Sequence, residues 1–443
     1  MTTRTRRTTG LAAGLAAALA VGGCASTHLA ASTARGTFQA ATTHPTVPSP
    51  TATATSPTAS APTSAGPGLK DFSAIRRLMA ARARAVVAGD DKAFMATVDS
   101  ARPIFAAAQQ VMFENLQDLP VTSMSYEVGT SGLTNAPGIK GGALLSPEVV
   151  EHVFLAGTDR RAVANTVDDT FVKRAGHWRL AADTVDLRAS GNVTARPWAG
   201  PRIDVVVRGH LIVVADASTP GAASTVADTV QSDLTFDAGV LGVPVNDHVM
   251  VDATTSGSVS KFDNNESAAA VTFPVGAGQN FEAGRLAGYR VKVNPDYIGD
   301  LARDPVLLRH ELTHYLMFTY SGLNPTWLTE GLAEYVSHQP GGLPTEYMTS
   351  AEYDRLMHRP QVLTVSGLFG QDPHTDYPLA MACVTYLVDH GGIAKVKDLM
   401  AAYAAHHDEP YEDQYTRQVL RKVYGFTPAD VAHGAFDLLA ALR

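Results

Sequence analysis

The stretch Leu308-Arg309-His310-Glu311-Leu312-Thr313-His314-Tyr315-Leu316, followed by Asn324-Pro325-Thr326-Trp327-Leu328-Thr329-Glu330-Gly331-Leu332-Ala333-Glu334-Tyr335, decides how the chain is read. Residues i and i+4 of an α-helix lie about 40° apart on one face. His310 and His314 therefore point toward a common spot, where they can ligate one metal ion with Glu311 alongside. Val306, Leu307, Leu308, Leu312, Leu316 and Met317 make the helix otherwise apolar. Two histidines are poor filling for such a helix, because each neutral ring needs partners for both nitrogens. Asp304-Pro305 supplies an N-cap and a first-turn proline, which predicts where the helix begins.

The second run predicts another helix, with Asn324 as cap and Pro325 in the first turn. Trp327, Leu328, Leu332 and either Tyr335 or Val336 give it an apolar face, and Gly331 lets another helix come close. The reversal from Tyr320 to Asn324 is short enough to fold one helix back on the other. Glu330 then completes a set of two histidines and one carboxylate. That count suits a catalytic zinc, which takes three protein ligands and keeps one position open.

In combination, His-Glu-x-x-His and Trp-Leu-x-Glu-Gly-x-Ala-x-Tyr resemble the Glu-zincin peptidases, particularly the bacterial peptidase MA-like family, over roughly residues 200–443. The resemblance implies one Zn2+ held by His310, His314 and Glu330, with Glu311 as general base. It also implies that Glu334 accepts a hydrogen bond from a ligand imidazole and fixes its tautomer; a solvent-facing charge is the alternative. In related peptidases a Tyr or His from a later helix helps hold the oxyanion. Tyr377 or His374, in Asp372–Tyr377 ahead of a helix over Pro378–Val388, fits that role. Tyr377 is preferred because a Tyr begins this helix in similar proteins, and plain helix packing is its alternative. The Gly-x-Met-Glu-Asn strand with which aminopeptidase N-like enzymes capture a free amino terminus does not occur here, which favours an endopeptidase. The implied partner is a peptide or protein substrate.

At the other end, Arg4, Arg6 and Arg7 precede a short apolar run from Leu11 to Val21, closed by Val21-Gly22-Gly23-Cys24. The run is too short to span a membrane comfortably and reads as an export signal over residues 1–24. The small residues before Cys24 resemble a bacterial lipobox, which implies a lipidated Cys24 and attachment to the membrane on its extracytoplasmic face. An ordinary secretory signal is the alternative. Residues 25–68 are mostly Ala, Thr, Ser and Pro and cannot bury enough apolar surface to offset ordering, so they read as a tether.

From Leu69 the pattern turns globular. Phe72, Ile75, Leu78, Met79, Ala83, Val86 and Val87 recur at helical spacing up to Gly89, and short helices follow over Lys92–Val98 and Ala106–Leu116. Strands are expected at Ser123–Val128, Glu151–Phe154, Arg161–Phe171 and Trp178–Asp183, with Asp168 and Asp169 as a solvated strand end. Helices first and antiparallel strands afterwards resemble the SnoaL-like cone fold, with Ala88-Gly89-Asp90 and Gly176-His177-Trp178-Arg179-Leu180-Ala181 as its cues. That resemblance implies a structural or recognition domain over 69–190. Ala189–Pro201 reads as a linker.

Beyond it, strands are expected at Ile203–Val207, His210–Ala215, Val249–Val251, Ala268–Pro274 and Arg290–Pro295, with a helix over Ala222–Val240. Ala268–Pro274 is taken as the edge strand. The fold class expected is α+β: an N-terminal cone of helices and curved sheet, then a zincin-type domain with a mixed sheet, an active-site helix and a helical C-terminal half. A net charge of −8 without a basic block argues against nucleic acid. Of the two cysteines, Cys383 lies in Met381-Ala382-Cys383-Val384 and reads as a small core residue. Two other functions stand beside the peptidase: a non-catalytic surface binding module with a structural metal or none, and a hydrolase of non-peptide amides. Glu311 argues against the first, since a structural site has no use for a base.

Overall fold

In a computed structural model, the described residues are 68–133, 139–183, 196–256, 269–277, 286–301, 303–321, 324–343, 348–359, 373–405 and 413–442. The export segment, Cys24 and residues 25–67 of the expected tether lie outside them. The protein is α+β with two sheets. No helix among the described residues is long and apolar enough to cross a membrane.

The front unit opens with α1 (Leu69–Ala88), where Phe72, Ile75, Met79, Ala83 and Val86 form the buried stripe that their spacing predicts. Gly89 ends the helix in the left-handed region at φ 67. After α2 (Asp91–Met95) and α3 (Pro103–Asp118) come five strands: β1 (Val121–Leu133), β2 (Ala143–Leu155), β3 (Val163–Val167), β4 (Thr170–Arg174) and β5 (His177–Ala182). One edge of β2 pairs with β1. The other pairs with β4 through Ala143–Leu145 and with β3 through Val149–Val153. Arg161–Phe171 is thus two strands, parted at Asp168-Asp169. Phe72, Ile75 and Met79 pack onto this sheet against Leu145, Val149, Phe171 and Trp178.

The second unit holds β6 (Ile203–Arg208), β7 (Leu211–Asp216), α4 (Ala222–Leu241), β8 (Met250–Ala253), β9 (Ala270–Gly276) and β10 (Leu286–Val293). Helices follow: α5 (Ile298–Leu301), α6 (Val306–Ser321), α7 (Thr326–Ser337), α8 (Ser350–Met357), α9 (Pro373–Ala404), α10 (Asp413–Val423) and α11 (Pro428–Ala440). The sheet order is β6-β7-β8-β10-β9, with β7, β8 and β10 parallel and the outer two strands antiparallel to their neighbours. β9 lies at the border, where an edge strand was expected.

All six residues of β7 are buried. Its run Leu-Ile-Val-Val-Ala lacks the polar alternation of a half-solvated strand, because both faces of the sheet are covered. Leu211, Val213 and Ala215 pack with α4 and α6. Ile212 and Val214, with Met250 and Ile203, pack against Ala83, Val86, Met112, Phe113, Leu116 and Leu155 of the front unit.

That shared core overturns part of the expected linker. Of Ala189–Pro201, residues 189–195 lie outside the described residues, but 196–201 are structural. Trp198 is fully buried in the shared core, and the Asn115 amide donates to the carbonyls of Trp198 and Pro201 at 3.2 and 2.8 Å. Gly and Pro in this segment mark a tight short turn, Pro197–Ala199, rather than a loose connection.

Candidate metal centre

At the start of α6 Asp304 Oδ1 accepts the Val306 N–H at 3.3 Å, but Pro305 lies just ahead of the first helical residue rather than within the first turn. For α7 the expectation needs correcting, since Pro325 itself occupies the N-cap and no side chain caps the helix. Gly331 brings α7 onto α9. A Cβ there would overlap the Ala380 carbonyl oxygen, so only glycine permits this backbone approach.

The two helices bring His310, His314 and Glu330 together. Nε2 of His310 lies 3.1 Å from Nε2 of His314, and Glu330 Oε2 lies 3.2 and 3.3 Å from them. Zinc–ligand bonds of about 2.0–2.2 Å at tetrahedral angles separate neighbouring donor atoms by roughly 3.4 Å. The three atoms are spaced close to three corners of such a tetrahedron, and the donor set is the borderline nitrogen-and-oxygen type that zinc accepts. The carboxylate and the rings favour each other's charged forms. Burial alone would raise the Glu330 carboxyl, yet the His314 and His310 rings take it down to about 2. Burial disfavours a charged His310, but its bonds to Glu330 and Glu334 outweigh that and raise it well above its ordinary value.

Glu334 lies beside the other nitrogen of His310, Oε1 to Nδ1 at 3.0 Å, as the resemblance implied. Glu311 is buried, and its Oε2 finds no hydrogen-bond partner among the described residues. Its backbone carbonyl accepts the Thr272 hydroxyl of β9 at 2.9 Å, which ties the border strand to the middle of the motif. The Tyr377 ring lies 6.0 Å from that of His310, centre to centre. The side chain of His374 lies outside the described residues. Cys383 is buried among apolar neighbours, and burial pushes its thiol up to about 12, as suits an inert core residue.

Sequence reasoning missed the side of α6 turned toward α4. Arg309 Nε donates to Asp233 Oδ1 at 2.9 Å, and its guanidinium lies 3.8 Å over the Phe236 ring. One turn on, Asp237 is fully buried, and burial together with the charge of Asp233 pushes its carboxyl up to about 8. The signal was an i, i+4 pair of acids amid the apolar positions of α4.

It also missed a buried polar cluster in the front unit. Arg196 pairs with both oxygens of Glu151 at 2.7 and 3.1 Å and with Asp183 at 3.3 Å, and the Tyr126 hydroxyl donates to Glu151 at 3.2 Å. Asp169, expected as a solvated strand end, is buried. Burial and the nearby Asp183 raise it well above the usual carboxylate range.

One further group among the described residues, His210, Asp247 and His248, is spaced for an ion. The two rings stack at 3.9 Å and 11°, so their in-plane lone pairs run side by side rather than converging. Convergence sets the His310 site apart. No family model matches the chain, and no curated protein matches it significantly.

Proposed function

We propose that the protein is a zinc-dependent endopeptidase in which a SnoaL-like cone unit is joined to a zincin-type catalytic unit. In this reading Cys24 carries a lipid that holds the protein on the extracytoplasmic face of a membrane. The observation that carries it is the convergence of His310 Nε2, His314 Nε2 and Glu330 Oε2 within 3.1–3.3 Å, next in the chain to a buried carboxylate, Glu311, whose Oε2 is unpartnered among the described residues.

His310 and His314 would bind through Nε2 and Glu330 through Oε2. Zinc, when bound, supplies Lewis acidity toward a carbonyl and acidifies a water. Glu311 would accept a proton from water on Oε2, which has no partner among the described residues, and pass it to the leaving amine. The Tyr377 phenol donates to the oxygen that gains charge. An extended substrate adds to the border of the sheet at β9, whose backbone supplies the pairing groups. β9 carries no acidic residue with which to hold a free α-amine, which supports internal cleavage. The mixed sheet flanked by α4 and α6 supports the zincin assignment. The packing of α1 on a five-stranded antiparallel sheet supports the cone.

The test is metal analysis of the purified protein, then digestion of a broad peptide library by wild type and Glu311→Gln. One zinc per chain in both, with cleavage only by wild type and lost by about 10²–10⁴-fold in the variant, is the expected result. Absence of stoichiometric zinc, or equal inertness of both proteins, overturns it.

A further inference from the structure

We propose that His338 is a positioning residue of the metal centre and acts on it through Glu334; the inference rests on the zinc reading above. His338 follows the last residue of α7 and ends the helix at φ −89, ψ 0. Its Nδ1 lies 2.9 Å from the backbone carbonyl of Glu334 and 3.3 Å from Glu334 Oε2. The other oxygen of the same carboxylate, Oε1, lies 3.0 Å from His310 Nδ1. Three side chains thus run in series, His310, Glu334 and His338, away from the point where the donor atoms converge.

The chemistry gives this series a direction. A ligating imidazole presents its lone pair at Nε2, so its proton must sit on Nδ1, and a carboxylate at Nδ1 holds it there. A glutamate has three rotatable bonds and turns away from one partner unless something holds its far oxygen. His338 Nδ1 donates to the Glu334 carbonyl and stands 3.3 Å from its carboxylate, with the Ser337 hydroxyl at 3.3 Å beside it, which sets the Glu334 side chain against its own backbone. Glu334 then keeps Oε1 on His310, and His310 keeps its lone pair aimed at the site.

His338 could instead serve only to finish the helix. The cap separates the two roles, because the Glu334 carbonyl also accepts the Ser337 hydroxyl at 3.1 Å and the main-chain N–H of His338 at 3.2 Å. His338→Ala removes the hold on the carboxylate and leaves those two bonds in place.

The experiment is a zinc titration of the full chain against a competing chelator dye, for wild type, His338→Ala, Glu334→Gln and the double variant. His338→Ala is expected to weaken zinc about tenfold, Glu334→Gln by at least as much, and the double variant no more than Glu334→Gln alone. Unchanged affinity in His338→Ala, or losses that add in the double variant, overturns the inference while leaving the zinc reading intact. Wild type without zinc overturns both. Should His338→Ala fail to fold, His338→Phe, which keeps the ring's bulk and lacks the donor, enters the same cycle with the same criterion.

Discussion

Thr272 on β9 donates its hydroxyl hydrogen to the backbone carbonyl of Glu311 at 2.9 Å. The strand on which an extended substrate would lie and the residue that would carry its proton are therefore held in register by a direct bond. Thr272→Val keeps the shape and removes the donor. It should cost about 1 kcal/mol of stability or less, as for a single hydrogen bond. Bound zinc should be unchanged, and kcat/KM on a library-derived peptide should fall severalfold. Unchanged kcat/KM would show that this bond has no part in alignment.

Two duties are open to Tyr377, packing beside His310 and donating to a developing oxyanion. Tyr377→Phe keeps the ring and deletes the hydroxyl. A fall of about 10²–10³ in kcat with KM and zinc content unchanged is the expected outcome for an oxyanion donor. If kcat stays within twofold of wild type, the ring only packs.

Gly331 sets how closely α7 approaches α9. In Gly331→Ala the new Cβ would run into the Ala380 carbonyl oxygen, so one helix must yield. The expected loss is about 1–3 kcal/mol in denaturant unfolding, together with weaker zinc binding because Glu330 is the adjacent residue. Gly299→Ala is the control: outside its own stretch of helix no heavy atom of the described residues lies within 4 Å of where its methyl group would stand, and it should leave zinc affinity unchanged.

Asp237 makes stability depend on pH with a definite sign. Its carboxyl is raised in the fold from an ordinary 3.8 to about 8. A group raised in this way contributes fully below its unfolded value and loses that contribution as pH climbs through the folded one. Wild type should therefore lose stability progressively from about pH 4 to pH 8 through this residue. Asp237→Asn, similar in shape and without charge, should escape that loss. Calorimetry at pH 5 and pH 8.5 checks it: the melting temperature of the variant relative to wild type should rise by several degrees from the lower pH to the upper. An equal difference at both values would sink the assignment.

The convergence of His310, His314 and Glu330 was legible in the sequence because much of it depends on local geometry. His310 and His314 are one helical turn apart, as are Glu330 and Glu334, so spacing alone puts each pair on one face. Gly331 and the border strand were legible for similar reasons, a missing side chain in a helix and a short apolar run ahead of it. The burial of Asp169, the Arg196–Glu151 pair and the grip of Asp233 on Arg309 were not. Each depends on residues brought together from distant parts of the chain, and a charged residue in isolation reads as solvated. The segment Arg196–Pro201 misled for a related reason: Pro and Gly signal a turn, and only the fold reveals whether that turn is packed.

The core joining the two units also bears on how the chain comes to be folded. Ala83, Val86 and Leu116 bury their apolar surface against Ile203, Ile212, Val214 and Met250, which lie far along the chain. A front unit emerging first from the ribosome has its own helices and strands but lacks the surface that closes them. It waits, with that side open, for β6, β7 and β8 to arrive. Folding of the first part of this protein is therefore completed by the second, and the order of synthesis sets an interval during which the nascent chain needs shielding.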